Sequence, residues 1–297
     1  MKLPMADLDE LLVTLVDTES VSGDEQVLAD LLEAGLRSAG QLQVGREGNA
    51  IWARTDLGCE TRVIIAGHLD TVPVADNLPS RPIVGPDGQP WLWGRGTVDM
   101  KGGLAIMAHL ATAIKSPVRD ITWVFYDCEE IEAERSGLGR LALKDPDLMV
   151  ADLAILMEPT DGVIEGGCQG SMRFQISTSG LAAHSGRGWL GHNAIHDMTA
   201  VLNRLTASQA DFGPVVVDGL EFREGLNATM ISGGVTGNVI PDACTVQMNY
   251  RFAPGVTEAE AETRMRQLFD GFGTYQLLDL MVGARPGLDQ SNALGHL

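Results

Sequence analysis

Paired cysteines, a basic leader and long apolar runs are all absent from this sequence, and each absence removes a class of protein. The four cysteines, Cys59, Cys128, Cys168 and Cys244, lie far apart with no C-x-x-C pair, so neither a disulfide framework nor a structural zinc knuckle is expected. The first residues, MKLPMADLDELLVTLV, carry one lysine and then acidic groups, which is the wrong charge for a signal peptide. No apolar stretch approaches the roughly 20 residues that a membrane helix needs. A reducing cytoplasm is the compartment these readings imply. Cations are scarce too: 21 Lys and Arg face 40 Asp and Glu, for a formal charge of -19. So acidic a surface repels phosphate backbones and anionic lipid, and no nucleic-acid or membrane partner is expected. A small substrate held in a local cationic pocket stays compatible with it.

What is present is a globular chain of 297 residues, 44% hydrophobic and 21% charged, long enough for two domains. Apolar spacing predicts helices over 7–16 and 24–39, the second with Ser22 as N-cap and Glu25 three residues on. Short β-like runs fall at 49–53, 62–66, 121–126 and 153–157, with helices expected between them at 103–114 and 139–143. Strands alternating with helices, the central ones nearly all apolar, predict an α/β domain with a largely buried sheet.

From about Gly170 the texture changes. SMRFQISTSG alternates like a strand and HNAIHDMTAVLNRL is amphipathic. Two strands follow around a Gly-rich turn, then the helical TEAEAETRMRQLFDGF. A β-α-β-β-α order predicts a small α+β domain placed after the first. No internal repeat and no low-complexity tract interrupts the chain.

Three of the apolar runs end in residues of metal-ligand type. RVIIA leads into His68 and Asp70, ITWVFY into Glu129 and Glu130, and LAILM into Glu158. Side chains beyond the carboxyl ends of strands in an open α/β sheet can converge in one crevice. A fourth segment, WGRGTVDMKGG, sets Asp99 in a Gly-rich loop before a helix. One His with several carboxylates suits zinc, manganese or cobalt rather than calcium. Of an adjacent Glu pair, one can ligate while its neighbour accepts a proton from water. Asp70 is near enough to hold the His68 imidazole in one tautomer. Each signal alone has an ordinary explanation: His-x-Asp after a strand is usually incidental, Asp99 could cap a helix, and Glu158 before a proline could close a strand. Their coincidence at strand ends is what points to a metal site.

At these residues the chain becomes recognisable. GHLDTVP, GRGTVDMKGG, the CEE of Cys128–Glu130 and the MEP of Met157–Pro159 resemble the co-catalytic di-zinc aminoacylase/carboxypeptidase family, over about residues 7–287. The resemblance implies a zinc-peptidase-like α/β catalytic domain with a mixed central sheet at 1–169. It also implies an inserted α+β, ferredoxin-like lid and dimerisation domain at 170–281. His68 and Glu158 would bind one zinc, Asp99 would bridge two, and Glu130 would bind the other, with cobalt or manganese able to substitute. Glu129 would be general base, Asp70 would orient His68, and the Asp99–Met100 peptide would be cis. In the smaller domain His184 matches a residue that stabilises an oxyanion in the active site of a homodimer partner. Asn238 and Arg251 match substrate contacts, Arg251 as a carboxylate clamp. The longer runs, among them AGHLDTVPVADNLPSR, HSGRGWLGHNAIH and GGVTGNVIPDACTVQMNYRFAPG, imply an N-succinyl amino acid, N-succinyl-2,6-diaminopimelate, as substrate.

Several residues are expected to stay outside the chemistry. His192 and His196 are placed on a helix as structural residues, and no motif pairs Cys128 or Cys168 with an activating His. One departure from the family pattern stands out: the segment 282–297 reads as the start of a return to the catalytic domain that stops before the family's last metal ligand. His296 is not assigned to that role. The second metal site is accordingly expected to be incomplete, and the chain alone weakly active. The alternatives are another N-acyl-amino-acid deacylase or dipeptidase of the same family, or an inactive remnant serving as a binding or dimerisation module.

Overall fold

The computed structural model describes residues 2–286, so His296 and most of the 282–297 segment lie outside the described residues. The chain divides into two compact units, with the break between Ile164 and Glu165.

The first unit is an α/β layer structure. Its helices are α1 (Leu8–Asp17), α2 (Gln26–Ser38), α3 (Gly102–Ala113) and α4 (Gly137–Lys144); its strands are β1 (Gln43–Glu47), β2 (Ala50–Arg54), β3 (Arg62–His68), β4 (Arg81–Val84), β5 (Pro90–Trp93), β6 (Asp120–Tyr126) and β7 (Leu153–Leu156). Five of the strands form a mixed sheet in the order β1-β2-β6-β3-β7, and β4 and β5 form a separate hairpin. β3 runs parallel to both β6 and β7, while the β1–β2 and β2–β6 pairs are antiparallel. The pleat explains why ITWVFY is apolar throughout. Trp123 and Phe125 join the cluster that α1, α2 and α3 supply, whereas Val124 and Tyr126 pack with Leu141 and Leu148 on the other face. Trp123 is 1% exposed, so truncating it to Ala removes about 3–5 kcal/mol of packing.

Within the second unit the main strands are β8 (Gly170–Ser179), β12 (Gly225–Gly233), β14 (Ala243–Phe252) and β15 (Thr274–Met281), with helices α5 (Ala194–Ser208) and α6 (Glu258–Leu268). Short pairs are β9 (Ala183–His184) with β13 (Val239–Ile240), and β10 (Pro214–Val217) with β11 (Leu220–Arg223). The antiparallel sheet has the order β15-β8-β14-β12. Numbered within the unit this is 4-1-3-2, the ferredoxin-like arrangement expected from the sequence. Met172, Phe174 and Ile176, spaced by two along β8, share one core with Met198 and Val201 of α5 and Met265 of α6. β15, unread in the sequence, completes the β-α-β-β-α-β set. No helix among the described residues is long and apolar enough to cross a membrane.

Two local expectations are corrected. Ser22 does not cap α2: the helix starts at Gln26 after Glu25, whose side chain makes no capping bond. The Ser22 hydroxyl donates instead to Asp70 Oδ2 at 2.7 Å, a charged acceptor that outcompetes a helix amide. His192 lies before α5 rather than on it, since Asn193 is the N-cap; its Nε2 pairs with Asp197 at 2.6 Å in an exposed contact.

Candidate metal centre

Parallel register puts the strand ends side by side. His68 stands opposite Tyr126, and Ala66 opposite Leu156, so the chain leaves β3, β6 and β7 at one edge of the sheet. Asp70 comes two residues after His68, Glu129 and Glu130 follow the end of β6, and Glu158 follows β7. Asp99 enters from a single wide turn, Thr97–Lys101, just ahead of α3, and its peptide bond to Met100 is cis.

Two glycines are there for space. Gly96, at φ 77°, opens the turn, and a Cβ on it would sit 2.7 Å from Thr71 Cγ2. A Cβ on Gly67 would come within 2.5 Å of Met100 Cε, so a larger residue there would displace the Met100 side chain beside the Asp99 turn.

His68 is the hub, 1% exposed. Its Nε2 lies 3.0 Å from Asp99 Oδ1 and 3.8 Å from Glu158 Oε1. Its Nδ1 lies 3.0 Å from the Asp70 carbonyl oxygen and 3.5 Å from Asp70 Oδ1. An Nδ1–H thereby donates to Asp70, and Nε2 faces the other carboxylates. Two ligand groups result: His68, Asp99 and Glu158, and His68, Glu129 and Glu130, the donor atoms of each lying within 4.8 Å of one another.

The electrostatics are those of an anion cluster in want of a cation. Burial and then mutual repulsion push the Glu129, Glu130 and Glu158 carboxyls above their ordinary pKa values. Burial would lower the His68 pKa, but its bond to Asp70 and the charges of Glu158, Asp70 and Glu129 lift it to about 9. Asp70 goes the other way. Burial alone would raise it, yet His68, the amides of Glu129 and Glu130 and the Ser22 hydroxyl hold it at about 2. A buried imidazole ringed by four carboxylates fits a divalent cation in both charge and donor type.

Neighbouring residues find structural employment. Cys128, 4% exposed and at φ 58°, has its thiol pushed up to about 11 by burial and then by Glu25 and Asp127, which leaves it a poor nucleophile. Glu25 Oε1 accepts the Cys128 amide at 3.3 Å, and Lys101 Nζ donates to the Thr18 carbonyl at 2.7 Å. In the sequence Ser22 and Glu25 read only as a helix cap, and Lys101 has no assigned role. The polar run Thr18-Glu19-Ser20-Val21-Ser22-Gly23-Asp24-Glu25 between two apolar helices is the signal that marks Ser22 and Glu25.

In the second unit, Gly186 donates its amide to His184 Nδ1 at 3.0 Å, which puts the ring proton on the exposed Nε2. Asn238 accepts the Ser185 amide through its carbonyl at 2.9 Å, and Val239 pairs with His184, so these two residues are neighbours. Arg251 lies toward the far end of β14, exposed, with Nε donating to Asn249 Oδ1 at 3.1 Å. His184 and Asn238 therefore form one group and Arg251 another.

A family model for the peptidase dimerisation domain matches residues 167–272, and one for peptidase family M28 matches residues 50–183. A candidate succinyl-diaminopimelate desuccinylase of Mycobacterium tuberculosis is 49% identical over 286 residues, covering 96% of this chain and 79% of that protein. The succinyl-diaminopimelate desuccinylase of Corynebacterium glutamicum is 41% identical over 290 residues, covering 95% and 77%. The chain belongs to the succinyl-diaminopimelate desuccinylase family. It is a metallohydrolase of the class that acts on amides. An M20-family metallo-carboxypeptidase from Sulfolobus solfataricus superimposes with a TM-score of 0.73 over 95% of this chain and 80% of its own. At 13% identity that likeness speaks for the fold.

Proposed function

We propose that this chain hydrolyses N-succinyl-LL-2,6-diaminopimelate to succinate and LL-2,6-diaminopimelate, with Glu129 as general base at a two-metal centre. The carrying observation is the convergence of Asp99, Glu129, Glu130 and Glu158 on His68 in a member of the desuccinylase family. His68 and Glu158 would hold one zinc, Asp99 both, and Glu130 the second, and cobalt or manganese would substitute. Bound there, the cations supply Lewis acidity that acidifies water and polarises the scissile carbonyl.

The chain's own groups do the rest. Glu129, its pKa raised first by burial, takes a proton from water and returns it to the leaving amine nitrogen. Asp70 fixes the His68 tautomer and, through two amides, the position of the Glu pair. His184, with its proton on Nε2, would offer a donor to the developing oxyanion in the active site of a partner copy, and Asn238 is its neighbour. Arg251 clamps a substrate carboxylate.

We read the second unit, taken as 170–281, as the lid through which two copies pair. Its match to the dimerisation domain and the exposed Met230 and Ile231 on the sheet-edge strand β12 support that reading. The reaction belongs to the cytoplasm. Amide hydrolysis by the metal-loaded chain, compared on N-succinyl-LL-2,6-diaminopimelate, N-acetylornithine and simple dipeptides, tests the assignment. A preference for either of the last two moves it to another deacylase or a dipeptidase.

A further inference from the structure

We infer that residues 18–25, the connector between α1 and α2, brace three of the four loops that frame the metal centre, and that Ser22 and Glu25 are positioning residues for it. The inference rests on the metal-centre reading given above.

None of the connector's residues belongs to the groups around His68, yet it touches the chain after β3, the Asp99 turn and the loop after β6. Thr18 accepts the Lys101 ammonium at 2.7 Å, tying down the turn that carries Asp99. Ser20 donates its hydroxyl to the Leu69 carbonyl at 2.8 Å and accepts the Thr71 amide at 2.9 Å, so the chain just after His68 is held on both sides. Ser22 donates to Asp70 Oδ2 at 2.7 Å, and the same carboxylate takes the amides of Glu129 and Glu130, each at 3.0 Å. Glu25, 0% exposed, accepts the amides of Gly23 at 2.7 Å and Cys128 at 3.3 Å, fixing the residue at which the chain turns toward Glu129.

The local sequence makes the diversion visible. Ser22 and Glu25 have the spacing of a helix capping box, and α2 begins without a side-chain cap. Ser22 bonds Asp70 instead, and Glu25 divides its bonds between Gly23, Asn49 and the Cys128 amide at the Glu129 loop. Local helix chemistry is forgone where a site needs support, the pattern expected of functional positions. The Glu129–Glu130 loop is reached twice, once from Ser22 through Asp70 and once from Glu25 through the Cys128 amide. Removing either contact frees the loop while leaving every metal ligand in the sequence.

The test compares Ser22→Ala, Glu25→Ala and Glu25→Gln with the wild-type full chain. Three quantities are read: cobalt uptake by its visible absorption, kcat and KM for the amide substrate, and melting of the metal-free protein. Ser22→Ala and Glu25→Ala should each lower cobalt affinity or kcat by about 10–100-fold with KM unchanged. Ser22→Ala should melt with the wild type, which separates positioning from loss of fold. Glu25→Gln keeps an acceptor for the two amides and should recover most of the loss. Should Glu25→Ala fail to fold, Ser22→Ala decides. Wild-type cobalt uptake and kcat in Ser22→Ala, or a Glu25→Gln as impaired as Glu25→Ala, overturns the brace while the metal centre stands. A wild type that takes up no cobalt overturns the metal reading and the brace together.

Discussion

Asp70 and Glu129 are joined by a hydrogen bond from the Glu129 amide to Asp70 Oδ1, 3.0 Å long, and the other oxygen takes the Glu130 amide at the same distance. The residue that holds His68 from behind thus also sets where the Glu pair stands. Histidine and carboxylates are coupled through one buried anion.

That coupling makes Asp70→Asn more than a loss of charge. An amide side chain has one oxygen for two backbone donors, and its NH2 meets the remaining one. Metal affinity or activity should fall by about 10–100-fold, read by cobalt titration and turnover. An unchanged titration would mean that the two amides find water instead.

Glu129→Gln separates chemistry from binding. The substitution removes the proton acceptor and keeps the shape, so kcat should drop by about 10²–10⁴-fold. Metal content, measured on the same samples, should stay at the wild-type level, because His68, Asp99, Glu130 and Glu158 are untouched.

Removal and return of metal test the anion cluster. Dialysis against a chelator should abolish turnover, and zinc or cobalt should restore it and raise the melting temperature as the ligand concentration grows. The two sites should differ in strength. Around His68, one group offers Asp99 and Glu158 and the other the Glu pair, of which Glu129 is left free for the proton. In Glu158→Ala the metal-induced rise in melting temperature should shrink.

Acid stability has a separate determinant in Asp120. This carboxylate is 3% exposed and accepts the Thr55 hydroxyl at 2.6 Å and the amides of Leu57 and Cys59 at 2.9 and 3.0 Å. Burial would raise its pKa, but those bonds and Arg62 hold it below the ordinary value. With a depressed folded pKa, its stabilisation is present above the unfolded value near 4 and is lost as pH falls through the folded one. Asp120→Asn should therefore cost about 1–3 kcal/mol at pH 7 by urea unfolding. The deficit should narrow as the pH falls below the ordinary carboxylate range.

Much of this was legible in the sequence because strand-end ligands follow from one rule. Apolar runs that stop at His68, Tyr126 and Leu156 must lie in register if the sheet is parallel there, and they do. The ferredoxin-like unit was readable from the alternation in β8 and the amphipathic α5. What escaped were features decided by tertiary contacts. β1 and β15 are edge strands with half-exposed patterns, and edge position weakens the alternation that marks a strand. Ser22 and Glu25 matched a local capping pattern and were claimed by Asp70 and Cys128, partners that only the folded chain brings near.

The most direct measurement is succinate release from N-succinyl-LL-2,6-diaminopimelate by the zinc-loaded full chain, set against N-acetylornithine and a dipeptide, with Glu129→Gln alongside. kcat/KM for the succinylated substrate should exceed the others by at least about a hundredfold, and kcat in Glu129→Gln should fall by about 10²–10⁴-fold while metal stays bound. Equal rates on all three substrates, or a Glu129→Gln variant that turns over at the wild-type rate, would contradict this reading.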